Sequence, residues 1–108
     1  MNFWASWCVP CREEFQQFKN ALDQFEQDSL KIVGITYKDI PKDARDFAKR
    51  QDATWLLADG GVDNAVAKEY RVRGLPQTFF IDGRGNITSR YFGRLSDAEL
   101  MTQIRRIL

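Results

Sequence analysis

Histidine is absent from this 108-residue sequence, and cysteine occurs only twice. The first absence removes every Cys/His nucleophile pair, every Ser/His triad and every histidine-based metal site. With two thiols and no imidazole, a structural zinc lacks its usual ligands. Neither a metal nor another cofactor is expected. No apolar stretch approaches the ~20 residues needed to cross a bilayer, and no signal peptide is visible. Like charges never run on far enough to make a basic tail. Sixteen Lys and Arg against fifteen Asp and Glu leave a net charge of +1, which points away from nucleic acid. What is there is core material. Hydrophobic residues make up 44% and aromatics 13%, enough for one ordered domain of ordinary size.

The chain opens abruptly. Asn2-Phe3-Trp4-Ala5 reads as the last turns of a buried strand, too short for a sheet interior. The expected organisation is therefore one domain over residues 1–108 that lacks its native N-terminal strand residues and any membrane anchor or signal. From Arg12 to Gln27, Phe15, Phe18, Leu22 and Phe25 recur at spacings of three and four, one stripe of an amphipathic helix with Pro10 in its first turn. Leu30 to Tyr37 is apolar and rich in β-branched residues, which predicts a strand covered on both faces. Asp39 is placed to cap a second helix, with Pro41 near its start and Ala44, Phe47 and Ala48 inward. Asp59-Gly60-Gly61 is a turn, and Val62, Ala65, Val66 and Tyr70 suggest a short third helix.

Gly74-Leu75-Pro76 breaks the pattern before a strand over Gln77 to Ile81. Asp82-Gly83-Arg84-Gly85 is a hairpin turn into a strand over Asn86 to Phe92. Ser96-Asp97-Ala98-Glu99 is a capping box that opens a last helix with Leu100, Ile104 and Leu108 inward. Trp55 receives no role. Alternating strands and helices followed by a hairpin predict an α/β domain. Its mixed sheet has about four strands, a truncated first strand and helices on both faces.

Chemistry is concentrated in Trp7-Cys8-Val9-Pro10-Cys11. Two cysteines separated by two residues at a helix start can close a small disulfide ring and reopen it. Cys8 meets unpaired amides and the positive end of the helix dipole, which favour a thiolate. Cys11, one turn in, is more buried and less reactive. Cys8 is thus the exposed nucleophile that forms a mixed disulfide, and Cys11 resolves it. Val9 and Pro10 shape the ring. A structural disulfide normally closes a longer loop, because a short ring removes little entropy from the unfolded chain.

The segment Phe3 to Glu14, FWASWCVPCREE, resembles the active-site segment of thioredoxin-like proteins, most closely the TlpA/ResA/CcmG (DsbE) branch. Ile32 to Asp39 is similar to the second strand of that branch, and Gly74 to Gly83 to the loop and strand that carry its cis-proline. The resemblance implies a thioredoxin-like fold and thiol–disulfide oxidoreductase activity. It implies that Pro76 is cis and faces the two cysteines, and that the Leu75 backbone pairs with an extended substrate segment. It also implies that Glu14 lies close to the thiols and modulates their ionisation or moves protons. Substrate contact is expected from Trp7, Val9, Pro10, Gly74 and Leu75.

The same resemblance implies the reduction of partner disulfides, apocytochrome c among the partners, with electrons from a membrane-embedded thiol donor. The setting it implies is the outer side of a bacterial cytoplasmic membrane. Three alternatives stand beside it. A general thioredoxin-type reductant would be cytoplasmic. A redox-structural binding module would keep the fold without turnover. A peroxidase of the peroxiredoxin kind needs a hydroxyl residue three positions before the reactive cysteine, and that position is Ala5.

Overall fold

The computed structural model describes residues 1–25 and 28–108. Its elements are β1 (Asn2–Trp4), α1 (Val9–Gln24), β2 (Val33–Thr36), α2 (Pro41–Arg50), β3 (Leu56–Ala58), α3 (Ala65–Glu69, after a single 3₁₀ turn at Val62–Asn64), β4 (Gln77–Ile81), β5 (Ile87–Phe92) and α4 (Asp97–Ile107). The strands form one sheet in the order β3-β2-β1-β4-β5. Strands β1, β2 and β3 run parallel, whereas β4 is antiparallel to β1 and β5 to β4.

This is the mixed sheet expected, with five strands rather than about four. The added strand is β3. Three residues, Leu56-Leu57-Ala58, carry no pattern of their own, and it is the pairing of Leu56 with Val33 and of Ala58 with Ile35 that makes them a strand.

The three-residue β1 lies at the centre of the sheet, and its side chains alternate between the two faces. Phe3 points to one face, where it joins Ile35, Ala67, Val72 and Phe79 under α3. Trp4 points to the other, into a core shared by α1, α2 and α4. Phe15 is the hub of that core. Its ring centroid lies 4.8 Å from that of Trp4, 5.0 Å from Phe47 and 5.0 Å from Trp55. Trp55 thus has a structural role, also packing edge-on against Phe18. Tilted and edge-to-face pairs of this kind contribute ~0.5–1.5 kcal/mol each beyond their buried area.

Several expectations are corrected. Helix α1 ends at Gln24, and Phe25 is extended; Glu26 and Gln27, the end of the expected stretch, lie outside the described residues. Strand β2 is only the middle of the apolar run from Leu30 to Tyr37. Asp39 does not cap α2. The cap position is Ile40, whose side chain has no polar atom, and the Asp39 carboxylate accepts instead from Ser6 and from the Ile40 amide. Val62 lies in the 3₁₀ turn ahead of α3 rather than in that helix and is exposed, and Leu108 is exposed rather than inward. Positive φ at Gly61, Asp63 and Asn64 redirects the chain around Val62, and Ala67 fills the core there instead. The capping box of α4 forms as expected, with the Glu99 amide donating to Ser96 Oγ at 3.1 Å.

Candidate active site

Strand β1 ends by delivering the chain to a tight turn, in which the Cys8 amide donates to the Ala5 carbonyl at 3.1 Å. Cys8 is then the N-cap of α1. Its carbonyl accepts the Arg12 amide at 3.0 Å, and its Sγ accepts the Cys11 amide at 3.3 Å. Pro10 occupies the first turn, where its missing N–H leaves no helix bond unmade. Cys8 and Cys11 are joined as a disulfide with their Cα atoms 5.2 Å apart. A sulfur at a helix N-terminus, already accepting an amide, sits where negative charge is stabilised. No acidic residue occupies the first turn to oppose it.

The expected exposure of Cys8 is corrected. It is 5% exposed against 1% for Cys11, so the order holds but both are buried in the closed ring. Cys8 Sγ is turned inward to Cys11 and its amide, and the solvent-facing surface belongs to Trp7 and Val9, each about 60% exposed. Trp7 is held in place by its indole Nε1, which donates to the Lys38 carbonyl at 2.8 Å.

The loop expected opposite the disulfide arrives from β4. Phe3 pairs with Gln77, and continuing that antiparallel register brings Ala5 level with Leu75. The Leu75–Pro76 peptide is cis. Pro76 is fully buried, whereas Gly74 and Leu75 are half-buried. Phe92, at the end of β5, covers this loop. A Cβ on Gly74 would lie 3.0 Å from the Phe92 ring, and the next amide, Gly93, donates to the Pro76 carbonyl at 2.8 Å.

Glu14 lies three residues past Cys11 on the same buried helix face, where such neighbours have Cβ atoms ~5–6 Å apart. It is 1% exposed. One carboxylate oxygen accepts the Asn2 amide at 3.3 Å and the other the Leu95 backbone N–H at 3.2 Å. Burial raises its pKa to about 7, against the opposing pull of those two donors and of Arg94. Gln17, one turn on, binds the Leu95 carbonyl at 2.8 Å, so both polar backbone groups of Leu95 are held by α1.

Of the nine residues singled out from sequence, Trp7, Cys8, Val9, Pro10 and Cys11 form the turn and start of α1, Glu14 follows on the same helix, and Gly74, Leu75 and Pro76 form the loop before β4. Four others act around the disulfide without having been assigned to it from sequence. Asp39 and Leu95 position the loops, Phe92 adds an exposed aromatic face, and Asn2 holds Glu14. Only Asn2 left a trace in the sequence, as an amide in an otherwise apolar strand, a position where Asn is disfavoured.

The AhpC/TSA family matches this chain over residues 1–90. The thiol:disulfide interchange protein HelX of Rhodobacter capsulatus is 33% identical over 108 residues, which cover all of this chain and 59% of HelX. The thiol:disulfide interchange protein DsbE of Escherichia coli K12 is 34% identical over 96 residues, covering 89% of this chain and 50% of DsbE. The chain therefore spans about half the length of these curated relatives. Among solved structures, a putative DsbE from Chlorobium tepidum superposes with a TM-score of 0.87 at 26% identity, over 98% of this chain and 76% of that one.

Proposed function

This chain belongs to the AhpC/TSA family, and we propose that it is a thiol–disulfide oxidoreductase that reduces disulfides in partner proteins through Cys8 and Cys11. One observation carries the reading: Cys8 Sγ is at once bonded to Cys11 and held by the Cys11 amide at the start of α1. In the reduced protein that amide and the helix dipole favour a Cys8 thiolate. The thiolate attacks one sulfur of a partner disulfide, forming a Cys8–partner bond and releasing the partner's other sulfur as thiolate. Cys11, deprotonated in turn, attacks Cys8 Sγ. The partner's second sulfur leaves, and the Cys8–Cys11 bond closes. Two electrons pass to the partner, whose two thiolates take up the two protons.

Roles for the surrounding residues follow. Trp7 and Val9 offer apolar surface to the partner, and Pro10 sets the ring and helix start. Gly74 and Leu75 present backbone beside Cys8, to which an extended segment pairs. Pro76 fixes the direction of that backbone, and Glu14 modulates the thiols from below. Similarity to proteins named as thiol:disulfide interchange proteins supports exchange chemistry. The reductive direction, apocytochrome c cysteines as substrate, a membrane-embedded thiol as electron donor and a place outside the bacterial cytoplasmic membrane are proposed with it. They rest on the resemblance to the DsbE branch.

The test is reduction of a test protein disulfide by the dithiol form. Cys8→Ser abolishes it, whereas Cys11→Ser accumulates a mixed disulfide between Cys8 and the partner. Undiminished reduction by the Cys8→Ser protein overturns the mechanism.

A further inference from the structure

A carboxyl buried on an apolar helix face must find its partners nearby, and Glu14 has two, both neutral. The Leu95 amide can only donate. Asn2 is different, because its side chain carries both a donor and an acceptor group. Its Nδ2 divides two hydrogens between Glu14 at 3.3 Å and Thr78 Oγ1 at 3.0 Å. The sheet holds it there. Asn2 pairs with Gly34 of β2 on one side and with Thr78 of β4 on the other, so its backbone cannot shift. Asn2 and Thr78 are 3% and 4% exposed, and both border an apolar cavity of ≈ 300 Å³ lined also by Phe18, Leu30, Phe80 and Ile104. In such surroundings, hydrogen bonds to Glu14 decide which charge state is tolerated.

We propose that Asn2, backed by Thr78, is a positioning residue that serves both charge states of Glu14. Its NH₂ faces the carboxylate, and after a flip of the amide its carbonyl accepts from the carboxylic acid. The Thr78 hydroxyl, which donates or accepts as it rotates, follows the flip by donating to whichever side of the amide it meets or accepting from it. The ionisable groups near the pair are few. Arg94 lies on the loop before α4, where it is tied to Glu13 and Gln17, and Asp97 is bonded to Gln17. The Met1 amino group donates to the Phe79 carbonyl. The inference deepens the reading of Glu14 as a modulator of the thiols, yet its geometry is that of the oxidised protein and needs no turnover.

The experiment is a pH titration of the oxidised protein by NMR, following the ¹³C-labelled Glu14 carboxyl and the ¹⁵N-labelled Asn2 side-chain amide together. Glu14→Gln assigns the carboxyl signal by removing it. In the unsubstituted protein the two signals move with one midpoint. In Asn2→Ala the Glu14 midpoint rises by about one pH unit, because the charge-assisted bond lost by the anion outweighs the neutral bond lost by the acid. Asn2→Asp, which keeps the shape and so guards against a folding failure, raises it further and splits the titration into two steps, as paired carboxyls do. An Asn2 amide signal that stays still while Glu14 titrates overturns the proposal, as does an unchanged Glu14 midpoint in Asn2→Asp. Loss of thiol exchange in otherwise correctly titrating protein would instead count against the function proposed above.

Discussion

Asp39 grips Ser6 twice. Its Oδ2 accepts the Ser6 backbone amide at 2.6 Å and its Oδ1 the Ser6 hydroxyl at 2.9 Å. The same Oδ1 also accepts the Ile40 amide at 2.8 Å. One carboxylate, 33 residues downstream, thus fixes the turn between β1 and Cys8. The neighbouring Lys38 carbonyl holds the Trp7 indole, so the segment after β2 sets the approach to the disulfide at two successive residues.

Asp39→Ala therefore leaves three donors without their acceptor. Hydrogen bonds to a charged group are worth ~1.5–3 kcal/mol each, and water can replace part of that at this half-buried place. Denaturant unfolding of the oxidised protein is expected to show a loss of about 2 kcal/mol for Asp39→Ala and roughly half that for Asp39→Asn. A midpoint unchanged in both variants would show that the contacts are incidental.

The Ser6–Asp39 contact also marks the limit of what was legible beforehand. Asp39 next to Ile40-Pro41 has every local attribute of a helix cap, and only the arrival of the β1 turn beside it diverts its carboxylate. The cysteine motif, Pro10 and the Ser96 cap were readable because each is satisfied within four residues of itself. Strand Gln77–Ile81 was readable because four successive apolar or β-prone residues, Thr78 to Ile81, lie between a proline and a turn. Strand β3 and Phe92 were not, since each acquires meaning from a partner far along the chain. The burial of Glu14 belongs with them. Its acceptors look solvated on a charged helix until Leu95, 81 residues away, closes over it.

Phe92 is the test of how far the partner surface extends. It is 67% exposed and its ring lies against Gly74, the residue before Leu75. An aromatic that a partner covers is one of the minority of interface residues whose truncation costs more than ~1 kcal/mol, and ~1–2 kcal/mol is expected here under the proposed function. Phe92→Ala is expected to raise KM for a protein disulfide by about 5- to 30-fold while kcat changes little. Exchange with a small disulfide, which offers no extended segment to bind, falls far less. Equal losses with both substrates would remove Phe92 from the binding surface.

Gly60 is required for steric reasons that a turn assignment alone does not reveal. A Cβ at this position would stand 2.1 Å from the Thr36 carbonyl oxygen, which is backbone at the end of β2 and cannot yield cheaply. The Gly60 amide also donates to Thr36 Oγ1 at 3.1 Å, so the close approach is bonded as well as tight. Gly60→Ala is expected to cost about 2 kcal/mol or more in unfolding free energy. Gly83→Ala, where nothing lies within 4 Å of the new methyl, serves as the control and stays within about 0.5 kcal/mol of the parent.

Glu14 gives the domain a pH-dependent stability of definite sign. Its pKa rises on folding from 4.5 to about 7, so between those values the folded chain holds a proton that the unfolded chain has released. Stability from this group is complete below 4.5 and is lost as the pH rises through 7. At about 1.4 kcal/mol per pH unit the whole change is roughly 3 kcal/mol. The sequence contains no histidine, so the usual titrating group of this window is missing. The Met1 amino group does act there with the opposite sign. Burial lowers its pKa from 8.0 to about 6, so its penalty fades as the pH rises from 6 to 8. Comparing the parent with Glu14→Gln at each pH cancels that contribution. The difference between the two unfolding curves is expected to change by about 3 kcal/mol from pH 4 to pH 8, with Glu14→Gln gaining on the parent throughout. A constant difference across that range would mean that Glu14 carries the same charge folded and unfolded, and its burial would then have another compensation.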